Sequence, residues 1–198
     1  MPFTAELFAR DVNELMDHLG WTAAAIAGAS MGGCVALAFG GLYAKRASAL
    51  GLIDTTTWYG PDAPKQFRER AAAAKAKGMA GLIDFQLSRW FSDRFRAVES
   101  ARVKAATDVF LANDFDCYAA SCALLGDADL RPYLKMFRMP VAVVVGEEDY
   151  ATPIAMAKAL HEAIPQSTLK VISGARHLTP VECPDIIAQE LTGLLERR

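Results

Sequence analysis

Several things are scarce in this chain, and each scarcity narrows what it can do. No excess of one charge is present: 21 Lys and Arg stand against 23 Asp and Glu, a formal net charge of −2 over 198 residues. The basic residues are scattered, so neither a nucleic acid nor a lipid surface is an expected partner. No apolar run reaches the roughly 18 residues that a membrane-spanning helix needs, and no membrane partner is expected. Cysteine is rare, with Cys34, Cys117, Cys122 and Cys183 lacking any C-x-x-C spacing. All four fall in apolar helical patterns and read as buried free thiols in a reducing cytoplasm rather than as a disulfide or metal site. The opening stretch, MPFTAELFARDVNELMDHLG, has acidic residues where a secretory signal needs a basic region and an apolar core, so the expected location is cytoplasmic. Histidine is scarce as well, with His18, His161 and His177 only. Neither G-x-x-x-x-G-K-S/T nor G-x-G-x-x-G occurs near the Gly-rich stretch at 28–33, which sets aside a phosphate-cradling loop.

What is present begins with Ala23 to Cys34, AAAIAGASMGGC. A short apolar run leads into Gly28-Ala29-Ser30-Met31-Gly32, and an apolar helical pattern follows directly. The pattern predicts a strand, a sharp turn and a helix with Ser30 at the tip, its backbone strained and its hydroxyl clear of the sheet. Gly28 and Gly32 are expected where strand and helix approach too closely for a side chain, and Gly33 keeps the first helical turn slim. The Met31 amide, opening that helix, is the candidate oxyanion donor.

Composition fits an ordinary globular protein, with 53% hydrophobic and 22% charged residues. In order along the chain, a helical stripe of Leu7, Phe8, Val12, Leu15, Met16 and Leu19 is capped by Thr4 and ended by Gly20. The strand 23–29 and the helix 31–45 follow, then a buried strand at 49–53 ending on Asp54. Four helical patterns occupy 64–77, 79–95, 99–112 and 115–125. The valines of 141–145 read as a fully buried parallel strand. Thr152 and Pro153 suit the cap and first position of the next helix. A last strand at 168–172 and a closing helix at 184–195 complete an α/β chain. The predicted organisation is a sheet domain formed by 1–60 and 138–198, with a helical lid at 61–137.

Four residues able to do chemistry fall at predicted strand ends: Ser30, Asp54, Asp149 and His177. The order serine, acid, histidine is that of a triad in which His177 takes the Ser30 proton and Asp149 orients the imidazole. Asp54, Glu147 and Glu148 compete with Asp149 for the acid role. Its place in the turn before Thr152-Pro153 favours Asp149. His18 and His161 lie in helical patterns, at positions expected to be exposed. Trp58, Tyr59, Trp90 and Phe91 are candidates for a pocket wall and equally for plain core, and Arg89 reads as a lid-surface ion pair.

Three segments then carry a resemblance: Gly28-Ala29-Ser30-Met31-Gly32-Gly33, Gly146-Glu147-Glu148-Asp149 with Thr152-Pro153, and Gly174-Ala175-Arg176-His177-Leu178. In these the chain resembles the α/β-hydrolase superfamily. Its lid, through Arg68-Glu69-Arg70, Lys77-Gly78-Met79, Arg89-Trp90-Phe91 and Asp129-Leu130-Arg131-Pro132, is similar to that of the 3-oxoadipate enol-lactonase group. The resemblance implies a mostly parallel sheet and hydrolysis of a small ester or enol-lactone through an acyl-serine, with no cofactor. C–C bond hydrolases and perhydrolases share the triad, and an inactive interaction module is the non-enzymatic alternative. The family has further strands ahead of the elbow helix, and a loop after one of them supplies a second oxyanion amide. Here the sequence opens on that helix, so the expected sheet is N-terminally shortened. Its elbow strand then has a free edge through which a second copy or a complementing chain can associate.

Overall fold

A computed structural model describes residues 2–197 of the chain. Four parallel strands lie in the order β1 (Ala24–Ala29), β2 (Ala47–Ile53), β3 (Val141–Gly146) and β4 (Ser167–Ile172). The two-residue period of β3 explains why it reads as one apolar run. Val141, Val143 and Val145 face the helices on one side, while Ala142 and Val144 face the other. Each fully buried valine contributes about 1.5–3 kcal/mol of transfer free energy.

On the first face pack α1 (Ala5–His18), α2 (Met31–Leu42) and α8 (Ile154–Ala163). The second face is covered by α10 (Pro184–Leu195), whose Ile187, Leu191 and Leu194 meet the even positions of β3. Thr4 caps α1 by accepting from the Leu7 N–H at 3.0 Å, and Gly20 follows the helix with φ +69°. The predicted α1 stripe is only partly buried: Met16 is inside, but Leu15 and Leu19 are 56% and 47% exposed. β1 pairs with β2 alone among the described residues, and its residues are half-buried or exposed. That leaves one backbone edge of the sheet open among the described residues, and Leu15, Leu19 and Trp21, shortly before β1 in the chain, are exposed.

Between β2 and β3 runs the helical insertion: α3 (Ala63–Lys77), a 3₁₀ turn at Met79–Leu82, α4 (Ile83–Trp90), α5 (Asp93–Val98), α6 (Ser100–Leu111), α7 (Phe115–Asp127) and a second 3₁₀ turn at Arg131–Met136. The single helix expected over 79–95 is broken, because Phe91 turns extended and fully buried while Ser92 caps α5 by accepting from Phe95 N–H. The two necks of the insertion are tied by a bridge between Trp58 and Asp129, with Leu130 N–H donating to Thr57 O at 2.8 Å. Edge-to-face rings hold its interior, Trp90 on Phe110 at 5.3 Å and Phe110 on Tyr118 at 5.7 Å. After β4 a short α9 (Thr179–Glu182) leads into α10.

Two further expectations are corrected. Pro153, not Thr152, stands at the start of α8, because Thr152 is turned inward to Asp149. The cysteines are free thiols, but Cys117 is exposed and Cys183, in the bend between α9 and α10, is half-buried. None of the helices is long and apolar enough to cross a membrane among the described residues.

Candidate active site

The sharp turn forms at Ser30, with φ 53° and ψ −118°, a conformation that L-residues rarely adopt. It is held by backbone on all sides. Ser30 N–H donates to Ile53 O at 2.9 Å, and Ser30 O accepts from Gly33 N–H, Cys34 N–H and the Thr55 hydroxyl. A Cβ on Gly28 would lie 2.0 Å from Gly32 O, so strand and helix close only around glycine there. The second close approach differs from expectation. Gly32 faces open space, and it is Gly33 whose Cβ would meet Thr55 at 2.5 Å.

From the turn the Ser30 hydroxyl reaches His177 Nε2 at 2.8 Å, and His177 Nδ1 reaches Asp149 Oδ2 at 2.8 Å. The structure thus brings together Ser30, His177 and Asp149 from the ends of β1, β4 and β3. Asp149 is fixed by its own turn, where Oδ1 accepts from the Ala151 and Thr152 N–H groups and Oδ2 from the Thr152 hydroxyl. Burial pushes the Asp149 carboxyl up. The His177 ring and the Thr152 donors outweigh it, leaving the carboxyl below its ordinary value and therefore ionised. An ionised Asp149 accepts from Nδ1–H, which leaves Nε2 with a lone pair for the Ser30 hydroxyl. Such an arrangement can remove the hydroxyl proton and retain it on a stabilised imidazolium.

Asp54, the rival acid, does not touch His177. Its backbone also takes positive φ, 46°, and its carboxylate accepts from Gly146 N–H at 3.2 Å and from Thr179 N–H and hydroxyl at 3.0 and 2.6 Å. Asp54 therefore ties the start of the Asp149 loop to the end of the His177 loop. Burial lifts its pKa to about 7 against the pull of the Thr179 hydroxyl. Cys34, beside the elbow, is pushed to about 11 by burial and stays a thiol. Met31 opens α2, where its N–H has no acceptor four residues back. His18 is exposed, and His161 is half-buried with Nδ1 2.7 Å from the Ser167 hydroxyl.

A cavity of about 510 Å³ opens over Ser30 and His177. Its wall comes mostly from α6, through Ala105, Ala106, Val109 and Phe110, with Trp90, Leu178 and Val181 opposite and Arg102 and Asn113 as polar groups. Of the four aromatic residues expected there, Trp90 alone lines it. Phe91 is buried in the lid, while Trp58 and Tyr59 line a separate cavity with Arg131. Among the described residues the expected Arg89 ion pair does not form; Arg89 donates to the Tyr150 carbonyl and lies over the Phe85 ring. The α6 wall could not be picked out of the sequence, because its apolar spacing is that of any lid helix. Among the described residues no cluster of His, Cys, Asp and Glu is arranged to hold a metal ion.

Comparison with known proteins bears on the fold that carries these residues. The sequence profile of the alpha/beta hydrolase fold matches residues 2–184. The chain belongs to the alpha/beta hydrolase family. Within that family it is 27% identical over 196 residues to 3-oxoadipate enol-lactonase 2 of Acinetobacter baylyi, spanning 99% of this chain and 72% of that one. The crystal structure of the enol-lactonase from Burkholderia xenovorans LB400 superposes with a TM-score of 0.92 at 31% identity, over 98% of this chain and 74% of that one. A thermophilic esterase from Thermogutta terrifontis gives 0.90 at 28% identity, over 99% and 74%. This alpha/beta hydrolase is thus similar to enzymes that open lactones and esters.

Proposed function

We propose that the chain is a serine hydrolase of small carboxylic esters or enol-lactones, working through an acyl-serine. The observation that carries this reading is the unbroken hydrogen-bonded line from Ser30 through His177 to buried Asp149, at 2.8 Å for each link, beneath an apolar cavity. In the proposed mechanism His177 Nε2 accepts the Ser30 proton as Oγ attacks the acyl carbon. Asp149 holds the ring in the right tautomer and stabilises the imidazolium. The Met31 N–H, at the positive end of α2, receives the developing oxyanion. His177 then protonates the departing alcohol or enol, and a water activated the same way releases the acid. These residues supply the nucleophile, the base and one oxyanion donor, which supports hydrolysis without a cofactor. The small, mostly apolar cavity and the enol-lactonase relatives support the substrate class.

The test is labelling with a fluorophosphonate, which reacts only with a nucleophile activated in this way. Stoichiometric labelling that disappears in Ser30→Ala and His177→Ala is expected, followed by turnover of enol-lactones and short esters. A folded wild type that does not label would overturn the reading. The open edge of β1 supports a second proposal, that the chain pairs through it with a second copy; the other possible occupant is a complementing chain. Sedimentation velocity at tens of micromolar is expected to show a dimer, and a clean monomer would count against it. The four free thiols support a reducing, cytoplasmic setting.

A further inference from the structure

The loop of His177 does not stand free over the sheet; it closes the end of a lid helix. The last carbonyls of an α-helix have no partner within it and must find one outside. At the end of α4 those partners come from the loop of the base. His177 N–H donates to Arg89 O at 3.2 Å and Leu178 N–H to Trp90 O at 3.0 Å. The Arg176 guanidinium donates to Ser88 O at 2.9 Å and Phe91 O at 3.0 Å, a cation at the negative end of the helix.

The clasp is closed a second time by Glu182. One of its oxygens accepts from Arg176 N–H at 3.2 Å, and the carboxylate also takes the Ser92 N–H and the Ser92 hydroxyl. Ser92 is the residue that caps α5. Asp93 and Glu148 complete the surroundings of Arg176, at 3.0 and 3.3 Å. Backbone and side chains of 176–182 are thus interleaved with 88–93, and the peptide of His177 is itself one of the linked groups.

We infer that Arg176 and Glu182 are positioning residues for His177, acting through the α4–α5 junction of the lid, which is a fixed mount of the base and not a flap over it. Neither side chain touches the reacting atoms. Each sets where the imidazole stands relative to Ser30, and a displacement of about 1 Å at such a position costs on the order of a hundredfold in rate. The inference rests on the triad reading above, so its test must separate the two.

Glu182→Gln and Arg176→Met are compared with wild type by three measurements: the fluorophosphonate labelling rate, kcat and KM on a short ester, and the low-field proton resonance of His177 Nδ1–H. Thermal melts confirm folding. In folded variants labelling and kcat are expected to fall about 10- to 100-fold with KM within about twofold, the mark of a change felt in the transition state. The Nδ1–H resonance is expected to broaden or vanish. Ser92→Ala, which removes one hydroxyl from the clasp, is expected to show a smaller change of the same kind and decides the matter where the other two do not fold. Wild-type rates and an unchanged resonance in folded variants would overturn the inference alone, as would a loss confined to KM. An unlabelled wild type would overturn the functional reading instead, and the resonance would still report whether the clasp holds the ring.

Discussion

Ser30 and His177 face each other at 2.8 Å, yet they are held by opposite means. The elbow is fixed by its own neighbours: glycines where strand meets helix, and backbone bonds to Ile53, Gly33 and Cys34. The loop of His177, the proposed base, is fixed by groups more than eighty residues earlier in the chain, through buried Arg176 and its partners Phe91 and exposed Asp93. A nucleophile mounted by local backbone keeps its geometry as long as the core stands. A base mounted by a polar network follows whatever happens to the lid, and such regions open at lower free energy than the core.

Four predictions bear on this contrast, beginning with the largest effect. Ser30→Ala should remove fluorophosphonate labelling and reduce ester turnover by about 10³-fold or more, with the melting temperature kept. Retained turnover would move the chemistry off the elbow altogether. Gly28→Ala places a methyl 2.0 Å from the Gly32 carbonyl, where only backbone can yield. It should destabilise the fold by more than about 4 kcal/mol, enough to abolish a cooperative urea transition. A well-folded Gly28→Ala protein would show that the elbow is less rigid than its contacts state.

Asp54 ties the Asp149 loop to the loop of His177, and pH is its probe. Its folded pKa of about 7 exceeds the ordinary 3.8 because burial disfavours the carboxylate. The folded protein therefore keeps a proton that the unfolded chain releases. That stabilising contribution is complete below about pH 4 and is lost as pH rises through 7. Urea stabilities of wild type, measured against Asp54→Asn over this window, should fall with rising pH by on the order of 4 kcal/mol at most. Parallel curves would show that Asp54 does not carry the proton. The smallest effect belongs to Gly32→Ala, where nothing lies within 4 Å of the new methyl. Stability should change by less than about 1 kcal/mol in the same urea experiment, against the collapse expected at Gly28 on the other side of the Ser30 turn.

Legibility in the sequence followed the same division. The elbow could be read because its requirements are met within a few residues: small side chains, a serine at the tip, apolar runs on both sides. The valines of β3 declared themselves as an unbroken apolar run and the closing helix by its period, and the family match agrees with the α/β sheet they imply. The turn before Thr152-Pro153 favours Asp149 over Asp54 already in the sequence, and the placement of Thr152 and Thr179 explains the division into a partner of His177 and a tie between loops. The break at Phe91 was hidden because helical spacing continues through it, while burial of that ring among lid aromatics decides its backbone. Arg176 and Glu182 look like ordinary surface charges in a string of letters. Their meaning lies in carbonyls from a distant helix, which no local pattern records.

The way α4 ends has a practical consequence for anyone who would re-engineer this enzyme. Its insertion is not a cassette to be unplugged and replaced by a roof of different taste. A foreign roof brings a different helix end, and the histidine beneath it inherits new moorings on the day of the graft. Chimaeras that exchange 61–137 alone should arrive with a misplaced base, whereas those that carry 174–182 along with it transplant the whole joint. Under the inference above, the roof of this site and the stance of its histidine are heirlooms passed on together.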